Sequence, residues 1–164
     1  MLQNFKIIVA QQKKLDKEIL TKFNRNYENT LNERKLALLV ELSELANEIR
    51  SFKYWSVKPR SEDERILDEY ADVLHFISGF AVQYQVTPIF SSKKPTPTSD
   101  NSVITKKIFK LFKIAIKING KKKVLKFLKK YIELGYLLGY DVEKIKASYD
   151  KKHAVNIERQ KTNY

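Results

Sequence analysis

Apolar residues recur every three or four positions along almost all of this 164-residue chain, and only 4 Gly and 4 Pro interrupt them. That is the period of helices that each bury one face, and so few breakers leave little room for strands or long irregular segments. The chain is therefore expected to be all-α, a bundle of about six helices. The spacing predicts helices over 5–23, 32–52, 61–84, 103–118, 121–138 and 142–161, with Asn32 and Ser61 as N-caps of the second and third. Glu62, Asp63 and Glu64, which follow Ser61, suit the positive end of a helix dipole. Three of the four prolines fall in VTPIFSSKKPTPTSDNS, residues 86–102, a segment with turn chemistry and no period. There is no internal repeat.

The charge is lopsided. Lys and Arg number 32 against 19 Asp and Glu, a formal net charge of +13. Nucleic acid, an acidic membrane surface or nucleotide phosphates would each answer that excess. KKIFKLFKIAIK and GKKKVLKFLKKY are amphipathic and basic, and such a pair is more often a solvated face over an ordinary core stripe than a binding surface. Neither a membrane nor a nucleic acid is expected as partner. No run of about 18 apolar residues marks a membrane span. The N-terminus lacks the long apolar region and cleavage site of a secretory signal, so a cytoplasmic location is expected. Cysteine is absent, which removes disulfides, thiolate metal sites and Cys nucleophiles together.

The acids are the informative residues. In ALLVELSELANEI, Glu41 and Glu44 sit among Ala37, Leu38 and Leu45, on a helix face that is largely apolar. A lone carboxylate there would take up a proton or cost several kcal/mol, and two side by side need a cation between them. RILDEYADVLHFI repeats the arrangement with Glu69 and Asp72, three residues apart beside Ile66, Val73 and Phe76. Consecutive helices with a short connection usually pack antiparallel. That packing would gather Glu41, Glu44, Glu69 and Asp72 into an all-oxygen set suited to Mg²⁺ or Mn²⁺. The bland alternative is surface acids paired with Arg34 and Arg65. Near the C-terminus, Tyr149, Lys152, Asn156, Arg159 and Asn163 share one helix face, a fair phosphate clamp. His75 is expected to face the core with a hydrogen bond, and His153 to be exposed.

ELSELANEIRSFKYWS followed by DEYADVLHFI resembles the dimeric all-α dUTPases, within the wider all-α NTP pyrophosphatase (MazG-like) superfamily. The version is like that of Gram-positive bacteria and their phages. AQQKKLDKEI is similar to the family's N-terminal element and YDKKHAVNIERQKTNY to its C-terminal motif. His153 and Asn163 stand where the family usually has Asn and Gly.

The resemblance implies a single domain in which residues 1–87 and 140–164 form the catalytic core, 88–102 a linker, and 103–139 an inserted pair of basic helices with room to move. It implies Mg²⁺-dependent hydrolysis of dUTP to dUMP and pyrophosphate, with two or three ions bound and Mn²⁺ as a substitute. Glu41, Glu44, Glu69 and Asp72 would be the ligands, Glu41 also orienting the attacking water. Gln12 and Asp16 would face the nucleoside, and Phe76 would pack near the base. Lys53 and Trp55 would lie at the rim, and Lys152, Asn156, Arg159 and Tyr164 would close over the phosphates. The family implies a homodimer whose second copy completes a four-helix catalytic core. The rival readings are a pyrophosphatase acting on dCTP or modified nucleotides, and a basic nucleic-acid-binding protein without chemistry.

Overall fold

A computed structural model describes residues 2–86 and 94–162, and among these there are six helices and no strand. They are α1 (Leu2–Lys22), α2 (Leu31–Ile49), α3 (Asp63–Gln83), α4 (Asn101–Ala115), α5 (Lys121–Leu137) and α6 (Val142–Lys161). The helical period was thus a sound guide, and most departures lie at helix ends. Thr30 takes the N-cap position of α2 in place of Asn32, without a side-chain capping bond. Glu62 takes that of α3, also without one, while the Ser61 side chain bonds Glu48 and the Ser61 N–H donates to the Glu48 carbonyl. The chain leaves α2 at Ile49 instead of about residue 52, because Arg50 takes up the left-handed conformation (φ 62°) and its N–H closes onto the Ala46 carbonyl. α4 starts earlier than expected because Asp100 caps it, accepting from the N–H groups of Ser102 and Val103. The prolines of the linker lie partly outside the described residues.

α3 is the central helix. Its middle is buried almost all round, from Tyr70 and Ala71 through Val73, Leu74, Ile77 and Phe80. α2 runs antiparallel to it: Glu48 at the end of α2 pairs with Arg65 at the start of α3 (2.9 Å), and Arg34 near the start of α2 donates to Gln83 at the end of α3 (2.7 Å). α1 and α6 lie parallel to one another, with the Tyr149 hydroxyl on the Ile8 carbonyl (3.2 Å) and Lys22 on the Gln160 carbonyl (2.7 Å).

The α4–α5 hairpin is built into the same core. Ile104, Ile108, Leu111 and Ile114 of α4, and Val124, Phe127, Leu128 and Tyr131 of α5, are buried with the side chains of α2 and α3. The Tyr70 and Tyr131 rings stack at 4.1 Å, and each hydroxyl donates to the other residue's carbonyl at 2.8 Å. That reciprocal pair of hydrogen bonds ties α5 to the middle of α3 at Tyr70, between the acids Glu69 and Asp72.

Candidate active site

The antiparallel pairing of α2 and α3 brings their acids face to face. Glu41, Glu69 and Asp72, all half-buried, offer oxygens that lie within 4.8 Å of one another. Glu44 is exposed and stands outside this trio, although its charge is felt by Glu41 and Glu69. Partial burial, then the charges of Asp72, Glu44 and Glu69, push Glu41 up to about 7. Burial likewise raises Glu69 and Asp72 above the ordinary carboxylate range. Lys152 of α6 supplies a counter-charge, its Nζ 2.5 Å from Asp72 and 2.8 Å from Asp68. Burial alone would lower the Lys152 pKa, but its bonds to Asp68 and Asp72 outweigh that and raise it. Three gathered oxygen donors fit a hard divalent cation, which would offset both the burial and the mutual repulsion that favour their protonated forms.

Glu41 and Asp72 also form one wall of a cavity of about 480 Å³, the size of a nucleotide-scale site. Gln12, Leu15 and Asp16 of α1, Arg34 of α2, His75, Phe76 and Gly79 of α3, and Asn156 and Arg159 of α6 line the rest. Gly79 lets Asp16 pack close to α3: a Cβ at that position would stand 3.0 Å from an Asp16 carboxylate oxygen and would press on it.

A chain of hydrogen bonds organises the cavity wall. Gln12 Nε2 donates to Asp16 Oδ1 (2.7 Å) and the Tyr27 hydroxyl to Asp16 Oδ2 (2.8 Å). The Gln12 carbonyl oxygen is therefore the atom facing Tyr149, whose hydroxyl donates to it at 3.1 Å, and His75 Nδ1 at 2.7 Å. Since that oxygen can only accept, the His75 proton sits on Nδ1 and Nε2 is left as a bare acceptor. Burial, with His153 and Lys152 nearby, pushes the His75 pKa down to about 3, so the ring is neutral. Nε2 is buried and has no hydrogen-bond partner among the described residues.

Of the residues singled out from sequence, Gln12, Asp16, Glu41, Asp72, Phe76, Asn156 and Arg159 all line this one cavity. Glu69 and Lys152 adjoin it through the acidic cluster. Lys53 and Trp55 do not line it. Trp55 is exposed in an edge-on cluster with Phe52 and Tyr54 (6.0 and 5.1 Å), and the Lys53 ammonium sits 5.6 Å from the Phe52 ring. Tyr164 and Asn163 lie outside the described residues. His153 is a correction: it is buried, stacked on His75 (5.8 Å) and Tyr149 (5.6 Å), because the face of α6 that carries Tyr149 turns it inward between α1 and α3.

Tyr27 and Arg34 are cavity residues that the sequence did not assign to the site. Arg34 lies over the Tyr27 ring (4.9 Å) and the Phe80 ring (4.7 Å) and donates to the Tyr27 carbonyl at 2.7 Å. The available signal was position: Arg34 lies in a polar run but one turn before Leu38, on the helix face that the core takes up. Nothing local marked Tyr27.

A family model described as dUTPase matches residues 4–164. Among curated proteins no relative matches the sequence. No helix among the described residues is long and apolar enough to cross a membrane.

Proposed function

This chain belongs to the dUTPase family, which marks it as a dUTP diphosphatase, and on that premise we propose that the cavity takes dUTP and that Mg²⁺ at the acidic cluster supports its hydrolysis to dUMP and pyrophosphate. The observation that carries this reading is that carboxylates raised by burial, and then by one another's charge, share a wall with a nucleotide-sized cavity. Glu41, Glu69 and Asp72 would hold the cation, with Glu44 near enough to join, and two or three ions can share such a set. A bound divalent ion neutralises phosphate charge and acidifies a coordinated water. Glu41 lines the cavity itself and is suited to orient the attacking water by accepting a hydrogen bond from it. Lys152, Asn156 and Arg159 would bind the phosphate oxygens. Tyr164 is proposed to close over them.

The base end of the site is proposed to favour uracil over cytosine. His75 Nε2 is an acceptor set by the Gln12 relay, and because it is buried among the described residues an incoming base would have to displace the wall around it to reach it. Uracil carries an N–H at ring position 3, whereas cytosine has a bare nitrogen there. A site built to accept that hydrogen strongly rejects the analogue that lacks it. Phe76 offers the apolar contact beside it, and Gln12 and Asp16 face the sugar and base.

The chain is proposed to work as a homodimer. Phe80 is fully buried, so it offers no surface for one, but Leu36, Val40, Phe52, Trp55 and Phe109 are exposed. Apolar side chains gathered on α2, the loop that follows it and α4 are an association surface of the kind that closes two-fold dimers. Trp55 and Lys53, which lie off the cavity of their own protomer, are proposed to reach the rim of the partner's. Pyrophosphate release measured across dUTP, dCTP, dTTP and dATP tests the base assignment. Preference for dCTP would replace it with the related pyrophosphatase reading.

A further inference from the structure

The α4–α5 hairpin carries charge that nucleotide hydrolysis does not use. Residues 101–140 contain eleven lysines, no arginine and one acid, Glu133, and so hold +10 of the chain's +13. That acid is already neutralised twice, by Lys107 Nζ at 2.7 Å and Lys130 Nζ at 2.7 Å. Among the described residues no other lysine of the hairpin pairs with a carboxylate.

Seven of the nine remaining lysines fall into two rows. On α4, Lys106, Lys110 and Lys113 are exposed, and so is Lys117 in the turn that follows it. Intervals of four and three residues set the first three along one stripe about 10 Å long at 1.5 Å per residue. On α5, Lys122, Lys126 and Lys129 repeat the spacing. Lys107 meets Lys130 at Glu133 along the seam of the hairpin, so the two rows flank that seam. Packed helices lie about 8–10 Å apart.

We propose that this hairpin is a docking surface for the phosphate backbone of a nucleic acid duplex, read without regard to sequence. Two cationic rows on helices whose axes pack about 8–10 Å apart can face phosphates on both sides of a groove, which in B-DNA is about 6 or 12 Å wide. A single strand offers one row only. A membrane fits less well. The apolar faces of both helices, Ile104, Ile108 and Leu111 on one and Val124, Phe127 and Leu128 on the other, are buried in the core, whereas a helix lying in a bilayer surface needs that face free. The sequence alone did not favour this partner. What changes the reading is that the core takes the apolar stripes and leaves the lysine rows in solvent. The proposal is independent of the catalytic reading.

The test is fluorescence anisotropy with a labelled 20-base-pair DNA of arbitrary sequence, titrated at 50–200 mM salt without Mg²⁺. About five or six phosphate contacts predict an affinity falling by about 10³ over that range. The K110Q/K117Q/K122Q/K126Q variant should flatten the salt slope by about four, one per lysine removed. The K6Q/K13Q/K14Q/K17Q variant, with the same charge removed from exposed positions of α1, should keep the wild-type slope. Unchanged dUTP hydrolysis in both variants reports that they fold. No binding at 50 mM salt, equal loss in the α1 control, tighter binding of the single strand, or equal affinity for phosphatidylserine vesicles would each overturn the proposal.

Discussion

Glu41 is the residue on which the site turns. Its carboxyl is pushed up to about 7 from an ordinary 4.5, so the folded chain holds a proton that the unfolded chain releases. Stability of the metal-free protein therefore falls as pH rises from about 4.5 to 7, a loss that is complete above 7. Glu41→Gln should raise the stability of the chelated protein at pH 8 by about 1–2 kcal/mol, allowing for solvent screening of a half-buried group, or roughly 2–8 °C in Tm. At pH 5 the gain should vanish, because the wild-type carboxyl is then already neutral. Adding Mg²⁺ at pH 8 should reverse the order of the two proteins, since only the wild type has the full ligand set. Differential scanning fluorimetry across pH with and without Mg²⁺ reads all three. His75 gives a second residue-scale prediction. His75→Phe keeps a ring in the Tyr149 stack but removes the acceptor, and should lower kcat/KM for dUTP by about 10–100-fold while leaving that for dCTP nearly unchanged. Steady-state assays on both nucleotides check it.

At the scale of elements, the helices were legible because tertiary packing and local propensity agree: the same three-four spacing that favours a helix supplies the buried stripe. Helix ends were less so. Ser61 reads as a cap, yet Glu48, thirteen residues back, takes its side chain. Arg50 occupies a left-handed position where glycine is usual, and no sequence rule announces that. The acidic pairs were visible because charge inside an apolar stripe needs an explanation. The Gln12–His75–Tyr149 relay was not, since its members are 63 and 137 residues apart and each alone looks like an ordinary core polar group. His153 was misjudged although Ile145 and Tyr149, both buried, lead onto it at intervals of four; beyond Tyr149 the helix is so polar that the stripe looked finished. Helix packing also yields a prediction. Gly135 lies where α5 crosses α3 and α6, and a Cβ there would come within 2.8 Å of Ile145 Cδ1 and 3.0 Å of the Tyr70 hydroxyl. Gly135→Ala should destabilise the fold by about 1–3 kcal/mol, overriding the roughly 1 kcal/mol that alanine contributes in an unhindered helix. Urea unfolding monitored by circular dichroism measures it; a gain in stability would show that α6 gives way freely.

For the whole molecule, the layout is a central helix, α3, that serves two neighbours at once. Toward α2 it presents Glu69 and Asp72 to Glu41, and toward α1 and α6 it presents His75 to Gln12 and Tyr149. The acidic cluster and the proposed base end of the cavity are thus held by one helix, which suits a reaction whose barrier is lowered mainly by positioning and electrostatics. The exposed aromatic cluster Phe52–Tyr54–Trp55 predicts that light scattering at low micromolar concentration gives twice the 19.3 kDa of one chain. A mass near 19.3 kDa would remove the proposed contribution of Lys53 and Trp55 to a partner's site. The central claim, that the acidic cluster makes this chain a metal-dependent dUTP pyrophosphohydrolase, is tested most directly by incubating the protein with dUTP and separating the products by anion exchange. Equal amounts of dUMP and pyrophosphate should form with Mg²⁺, with turnover lost in excess chelator and in Glu41→Gln. Undiminished hydrolysis in chelator, or in Glu41→Gln, would contradict it.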